Sequence, residues 1–401
     1  MSKFSRYWFF IALGGIAVVS LVRIVTDTND ISSAGTIRAA IIATCPILMA
    51  GLGGLWAERA GVVNIGLEGQ MILGTWGAAY FTYSYGPWVG VIGAAVLGAI
   101  GGLLHAIATI TFGVDHIVSG VAINLIGAGA TTFLAEAVFP NLTGGGPRQL
   151  VGLDTPARIT IPGLSDAAIE LAGKHWFVVS DIAAFVAALT TGLSTLSIVV
   201  FALVALSAII LWRTSFGLRL RSCGENPQAA ETLGINVIRY KYIAVLVSGA
   251  LAGIGGGFLA LVSSSGFNVG QTGGRGYIGL AAMIFGNWRP GSLITGAVMF
   301  GYTDSLRLRD TRAVHALLLL IALALLVFSV VRFVRGQRRG AWALGIVGVA
   351  LLTWFASTDS VPRDFTSMTP YVTTLLVLAL GAQRLRMPAA DGKIYRKGSA
   401  G

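Results

Sequence analysis

The chain has 401 residues, 55% of them hydrophobic and only 11% charged, with a formal net charge of +11. Roughly a quarter of the residues of a soluble domain are charged, so this composition excludes an ordinary soluble globular protein and points to a polytopic helical membrane protein. The positive excess, which in a soluble chain would raise nucleic-acid binding, reads here as the mark of cytoplasmic loops, and no nucleic-acid partner is expected.

Apolar runs of about 20 residues, the length that crosses a hydrocarbon core, recur from end to end. They predict spans at 7–25, 36–56, 66–84, 88–110, 117–139, 181–212, 241–263, 276–288, 291–306, 313–331, 341–357 and 371–384. The first, in MSKFSRYWFFIALGGIAVVSLVRIV, follows two basic residues and shows no small-residue cleavage site, so it reads as a retained helix. With both termini placed in the cytoplasm, most basic residues fall on the inner side. Arg307, Arg309 and Arg312 fall outside, against the bias.

The first span pair leads into ERAGVVNIGLEGQMILG (58–74), where Glu58, Arg59, Asn64, Glu68 and Gln70 interrupt apolar sequence together with several glycines. Glycine costs about 1 kcal/mol inside a helix, and lipid offers no water to freed backbone groups. A broken helix facing protein or a wet cavity is therefore expected. Glu68 either lines a pathway or caps the half-helix that follows it. Glu58 and Arg59 are expected to form an interfacial salt bridge. Further on, Asp115 reads as a helix N-cap beside His116, and Asn124 lies mid-span, open to either interhelix bonding or substrate contact. The Pro/Gly-rich stretch 139–180 reads as an external loop with a short surface helix; its Asn141-Leu142-Thr143 sequon carries no weight by itself.

The stretch 213–241 holds five basic residues and two acidic ones and reads as a cytoplasmic loop. Within it, Asn226 as N-cap and Pro227 at the first helical position start a short helix that Gly234 ends. Such a helix between spans fits a docking element for a cytoplasmic partner. A second interruption follows. Gly253-Ile-Gly255-Gly256 precedes Asn268-Val-Gly270, as Gly51-Leu-Gly53-Gly54 precedes Asn64-Ile-Gly66, on a helix of opposite direction. This is the pattern of an inverted repeat with discontinuous helices, from which transport sites are built. Gln271 and Arg275 complete the polar groups of the second break.

The fold class is thus all-α, a polytopic transmembrane helical bundle of about 12 spans with inverted repeats and broken helices. The organisation expected is a transmembrane core over 1–306, an additional hairpin over 307–370, and a last span with cytoplasmic tail over 371–401. Cys45 and Cys223 sit too differently for a disulfide, and no Cys/His cluster has metal-ligand spacing. None of the five lysines (Lys3, Lys174, Lys241, Lys393, Lys397) precedes Ser or Thr, so there is no Walker A loop. Nor is there a Ser/His/Asp set or a carboxylate pair for acid/base work. The chain is expected to be no enzyme, with no catalytic residue, metal or cofactor of its own. Energy comes either from a partner at the 213–241 loop or from an ion gradient acting through residues such as Glu68.

GLGGLWAERAGVVNIGLEGQMILG resembles the membrane-spanning permease subunits of bacterial ABC importers in the nucleoside and simple-sugar branch. So do SFGLRLRSCGENPQAAETLGINVIRYKYIAVLVSGALAGIGGGFLAL, GRGYIGLAAMIFGNWRPGSLITGAVMFG and the tail PAADGKIYRKG. The resemblance covers about 36–306 and 371–401; the two spans at 313–331 and 341–357 depart from the pattern. It implies a second, homologous permease in a heterodimer, a cytoplasmic ATPase that uses ATP and Mg, and an extracytoplasmic substrate-binding lipoprotein, in the bacterial cytoplasmic membrane. Gly224, Glu225, Asn226, Pro227 and Ala230 match the loop that docks into the ATPase. Nucleosides are favoured over a simple sugar such as ribose. Asn64, Glu68, Asn124 and Asn268 are the candidate hydrogen-bonding residues of the pathway, and Trp76 and Phe267 its candidate aromatic surface.

Overall fold

A computed structural model describes residues 3–307, 311–334, 336–358, 360–362 and 385–398. In chain order the helices are α1 (Lys3–Thr26), α2 (Ala34–Arg59), α3 (Leu67–Tyr85), α4 (Pro87–Ala106), α5 (His116–Val138), α6 (Leu164–Gly173), α7 (Val179–Thr190) and α8 (Thr195–Arg213). They continue with α9 (Ser215–Glu225), α10 (Pro227–Thr232), α11 (Val237–Phe258), α12 (Arg275–Phe285), α13 (Pro290–Arg307), α14 (Thr311–Val334) and α15 (Arg338–Ser357). Among the described residues, seven helices are long and apolar enough to cross a membrane. The chain is a multi-pass helical membrane protein.

Two expected spans take another form. The stretch 181–212 is two helices, α7 and α8, because Gly192 adopts φ +60 and the Ser194 hydroxyl caps α8 at the Leu196 N–H. The stretch 276–288 is the short α12, whose 11 residues rise about 16 Å, about half the roughly 30 Å hydrocarbon thickness. The expected last span, 371–384, lies outside the described residues.

The chain divides into two compact units. One comprises Met1–Ala40, Ile159–Leu193 and Tyr302–Val372. In it the apolar faces of α1 and α14 bury Val22, Ala316 and Leu319 together, and α14 packs along α15. Arg23 lies 3.5 Å from Asp181, both side chains almost fully buried, and Asp181 also accepts from the Ser32 hydroxyl. A buried charge survives only when paired and hydrogen-bonded.

The other unit comprises Ile41–Arg158, Ser194–Gly301 and Thr373–Gly401. Its centre is the crossing of α4 and α11, where Gly98 and Gly102 face Gly249 and Gly253. A Cβ on Gly98 would lie 2.2 Å from the Gly249 carbonyl oxygen, and one on Gly253 would lie 2.2 Å from that of Ala94. Two small residues four apart on each helix let the backbones touch, which is how helices associate where lipid removes the hydrophobic drive. Gly253, read as part of a helix interruption, thus serves as a contact point inside a continuous helix, and Gly256 packs in the same way on the Met71 carbonyl. The loop after α5 adds the strand Gln149–Val151, antiparallel to Gly266–Asn268 in the second break, with Leu150 opposite Phe267.

Candidate functional site: two helix breaks and a capped cytoplasmic helix

The first break, residues 60–66, begins where Gly61 adopts φ +79. Its N–H bonds to the Glu58 carbonyl and the Val62 N–H to that of Ala57, the paired bonds of a Schellman end. Beyond it, side chains of neighbouring helices satisfy the freed backbone, as a lipid environment demands. Val63 donates its N–H to His116 Nδ1 (3.1 Å), and its carbonyl bonds His105 Nε2 (2.9 Å). Asn124 accepts from the Gly69 N–H at 2.7 Å and donates to the Ile65 carbonyl at 3.1 Å. Asn64 is fully buried and donates to Gln70 Oε1 (3.0 Å) and Ser248 Oγ (2.9 Å). Asp115 is the N-cap of α5, as expected, accepting from Ile117 and Val118.

Glu68 caps a helix, but not its own. Oε1 accepts from the Gly274 N–H (2.9 Å) and Oε2 from the Gly276 N–H (2.7 Å), so the carboxylate closes the N-terminus of α12 in the second break. Only 6% of Glu68 is exposed. The positive end of the α12 dipole and two backbone donors stabilise an anion there. Gly276 leaves room for this; a Cβ would lie 2.6 Å from the Glu68 backbone. The two breaks therefore meet at the N-terminus of α12.

At this junction Asn124 is partly exposed and Tyr277 is 47% exposed, and the Asn124 amide donates to the Tyr277 hydroxyl at 2.9 Å. Together they present an amide and a phenol beside the exposed apolar Val121 and Leu125. Asn268 is also exposed; with Gly146, Pro147, Arg148, Gln149 and Val269 it lines an open depression of about 390 Å³. Gln271 accepts from the Asn268 N–H, and Arg275 donates to the Gln271 and Thr272 carbonyls. Trp76 and Phe267 lie elsewhere, inside the chain. Trp76 stacks on Tyr80 and Phe139, and Phe139 meets Phe267 edge-on, leaving Phe267 only 1% exposed.

The expected Glu58–Arg59 salt bridge does not form, because successive helical side chains point about 100° apart. Glu58 accepts from the Trp288 indole at 2.6 Å, whereas Arg59 donates to the Trp288 carbonyl and lies 3.7 Å from Glu225. The short helix of the 213–241 stretch forms as its sequence demands. Asn226 accepts from the Ala229 N–H at 3.0 Å, Pro227 opens α10, and Gly234 ends it at φ +81. Ala230 packs inward on Cys223 and Val237, whereas Glu225, Asn226 and Leu233 (81%) face outward. Gly224 is held against the break, since a Cβ there would lie 2.3 Å from the Arg59 carbonyl oxygen. Both cysteines are free and buried.

Sequence reasoning passed over His105, Ser248 and Tyr277. Tyr277 stands in GRGYIG, three residues past the cap glycine, and that position on a half-helix was its available signal. His105 and Ser248 lie in apolar helices and carry no local one.

A family described as branched-chain amino acid transport system / permease component matches residues 36–330, and so runs past residue 306 through most of α14. The guanosine ABC transporter permease protein NupQ of Bacillus subtilis is 35% identical over 90% of this chain and 96% of its own length. The nucleoside ABC transporter permease protein NupC of Lactococcus lactis is 34% identical over 89% and 95%. A putative glucose ABC transporter permease protein of Haloferax volcanii, TsgC13, is 32% identical over 69% and 78%. No solved structure matches.

Proposed function

From the premise that the chain belongs to the branched-chain amino acid transport system / permease component family, we propose that it is the membrane-spanning permease subunit of an ATP-driven importer of nucleosides in the bacterial cytoplasmic membrane. The observation that carries the substrate class is the similarity over nine-tenths of the chain to permeases named for guanosine and nucleosides. The chain binds no cofactor. ATP and Mg are used by a cytoplasmic ATPase that docks on Gly224, Glu225, Asn226, Pro227 and the Ala230 helix, whose capped end and exposed Leu233 offer a rigid, partly apolar knob. A substrate-binding lipoprotein delivers the nucleoside from outside, and a second, homologous permease completes a heterodimer. About 12 spans, related by an inverted repeat around the two breaks, place both termini in the cytoplasm.

Asn124 and Tyr277 supply hydrogen bonds to ribose hydroxyls or base edges, and Asn268 does so nearer the outer mouth. Glu68 and Asn64 hold the broken segments that frame the pathway, whereas Trp76 and Phe267 pack inside the chain with Tyr80 and Phe139. A second reading, a simple-sugar importer, draws on the likeness to the glucose permease over two-thirds of the chain. An ion-coupled transporter is disfavoured because both Glu68 oxygens are already engaged by backbone donors.

Uptake of radiolabelled nucleosides in cells lacking this subunit tests the reading. Wild type is expected to restore uptake, and Glu225→Ala to restore little of it at equal membrane levels. Nucleoside uptake that survives the deletion, with no redundant system present, sends the assignment to sugars.

A further inference from the structure

The C-terminal tail, 385–398, touches Gly224, Glu225 and Ala230 of the proposed coupling apparatus. The Ala390 N–H donates to the Gly224 carbonyl at 2.9 Å, and the Ala389 N–H to Glu225 Oε2 at 3.3 Å. Tyr395 packs on the cluster of Cys223, Ala230 and Val237 beneath α10. At its start the tail holds the far end of α12, where the Arg386 N–H donates to Asn287 Oδ1 at 2.7 Å. Asp391 is buried beside Glu58, with 8% and 3% of the two residues exposed.

Three backbones converge there. A Cβ on Gly61 would lie 3.2 Å from both the Ala390 carbonyl oxygen and Gly224 Cα, and Lys241 Nζ donates to the Gly61 carbonyl at 3.2 Å. The segment 58–68 in turn clasps α12 at both ends. Glu68 holds its N-terminus, while Glu58 and Arg59 hold Trp288 beyond its C-terminus. The helix α10 has six residues, of which only Ala230 is buried. The end of α9 that leads into it meets the clasp at Gly224 and through the Arg59–Glu225 pair at 3.7 Å with Glu225 half-exposed, a weak link in water. Motion is carried by contiguous packed contacts between rigid elements, and the tail supplies them.

Resting on the permease reading above, we propose that the C-terminal tail is a positioning element of coupling, joining the ATPase-docking helix to the clasp so that displacement of α10 moves α12 and Glu68.

The test uses the complete importer, reconstituted in liposomes with its ATPase and binding protein, and reads nucleoside moved per ATP hydrolysed. Asp391→Arg adds a guanidinium facing Arg59 and Lys241 in a buried site and displaces the tail; truncation after Leu385 removes it. Asp391→Asn keeps the size and shape of the side chain. The first two variants are expected to cut nucleoside per ATP at least tenfold, with ATPase co-purification within twofold of wild type, and Asp391→Asn to stay within twofold on both readouts. Unchanged stoichiometry in both displaced-tail variants overturns the proposal. So does loss of ATPase co-purification in parallel with transport, which assigns the tail to assembly alone. If the ATPase does not co-purify with the wild-type chain, the permease reading itself fails and takes this one with it.

Discussion

Replacing Glu68 by Gln isolates the joint between the two helix breaks. The carboxylate accepts two backbone N–H groups at 2.9 and 2.7 Å in a site only 6% exposed. Hydrogen bonds to a charged group are worth about 1.5–3 kcal/mol each. The glutamine amide keeps one acceptor oxygen, and its NH2 turns a donor toward the remaining N–H. One charge-assisted bond becomes neutral and one donor is orphaned at the positive end of α12, a loss of about 2–4 kcal/mol. The assay is reversible unfolding of purified protein in mixed micelles, with Glu170→Gln as control. Glu170 forms only a surface i,i+4 bridge to Lys174 at 3.2 Å, worth about 0.5 kcal/mol or less. Equal stability of Glu68→Gln and the control would refute the capping role. It would return Glu68 to the alternative of a residue that serves the pathway alone.

Bulk at the α4–α11 crossing is expected to be ruinous. Gly98→Val or Gly253→Val pushes side-chain atoms into backbone that has no room to yield, costing about 3 kcal/mol or more. The yield of monodisperse protein in detergent should collapse, whereas Gly129→Ala, which meets nothing within 4 Å, leaves it intact. Asn226→Ala removes the cap of α10 and should weaken ATPase association about 2- to 30-fold, matching a cap worth about 0.5–2 kcal/mol; unchanged affinity would separate α10 from docking. The tail should respond to pH. Burial pushes the Asp391 carboxyl from its ordinary 3.8 up to about 7, with Glu58, Lys241 and Arg59 facing it. Since the docked state holds the proton more tightly than the free tail, docking is favoured at low pH and weakens as pH rises from about 4 through about 7. The mobility of a spin label at Lys393→Cys should therefore increase between pH 5 and pH 8, and that increase should shrink in Asp391→Asn.

The helical membrane class, both breaks and the capped helix at Asn226-Pro227 were legible in the sequence because each is a local property. Span length follows from consecutive apolar residues. A break follows from glycine and amide residues inside such a run, and a cap from one side chain reaching an N–H three residues on. Their partners were not legible, because those are set by residues far apart in the chain. Glu68 was read as a pathway residue or as the cap of its own helix, yet it closes a helix that begins more than 200 positions later. Glu58 was paired with its neighbour Arg59, but the tertiary packing turned it to Trp288 and Asp391. Glycines that local propensity marks as breakers lie inside continuous helices, where the α4–α11 crossing requires them. The sequence alone determined that the chain is a multi-pass helical membrane protein and where the backbone leaves its helix, since hydrophobicity and backbone propensity act over a few residues. Only the tertiary structure decided what satisfies each exposed backbone group, because in lipid those groups must be met by whichever side chains packing brings to them.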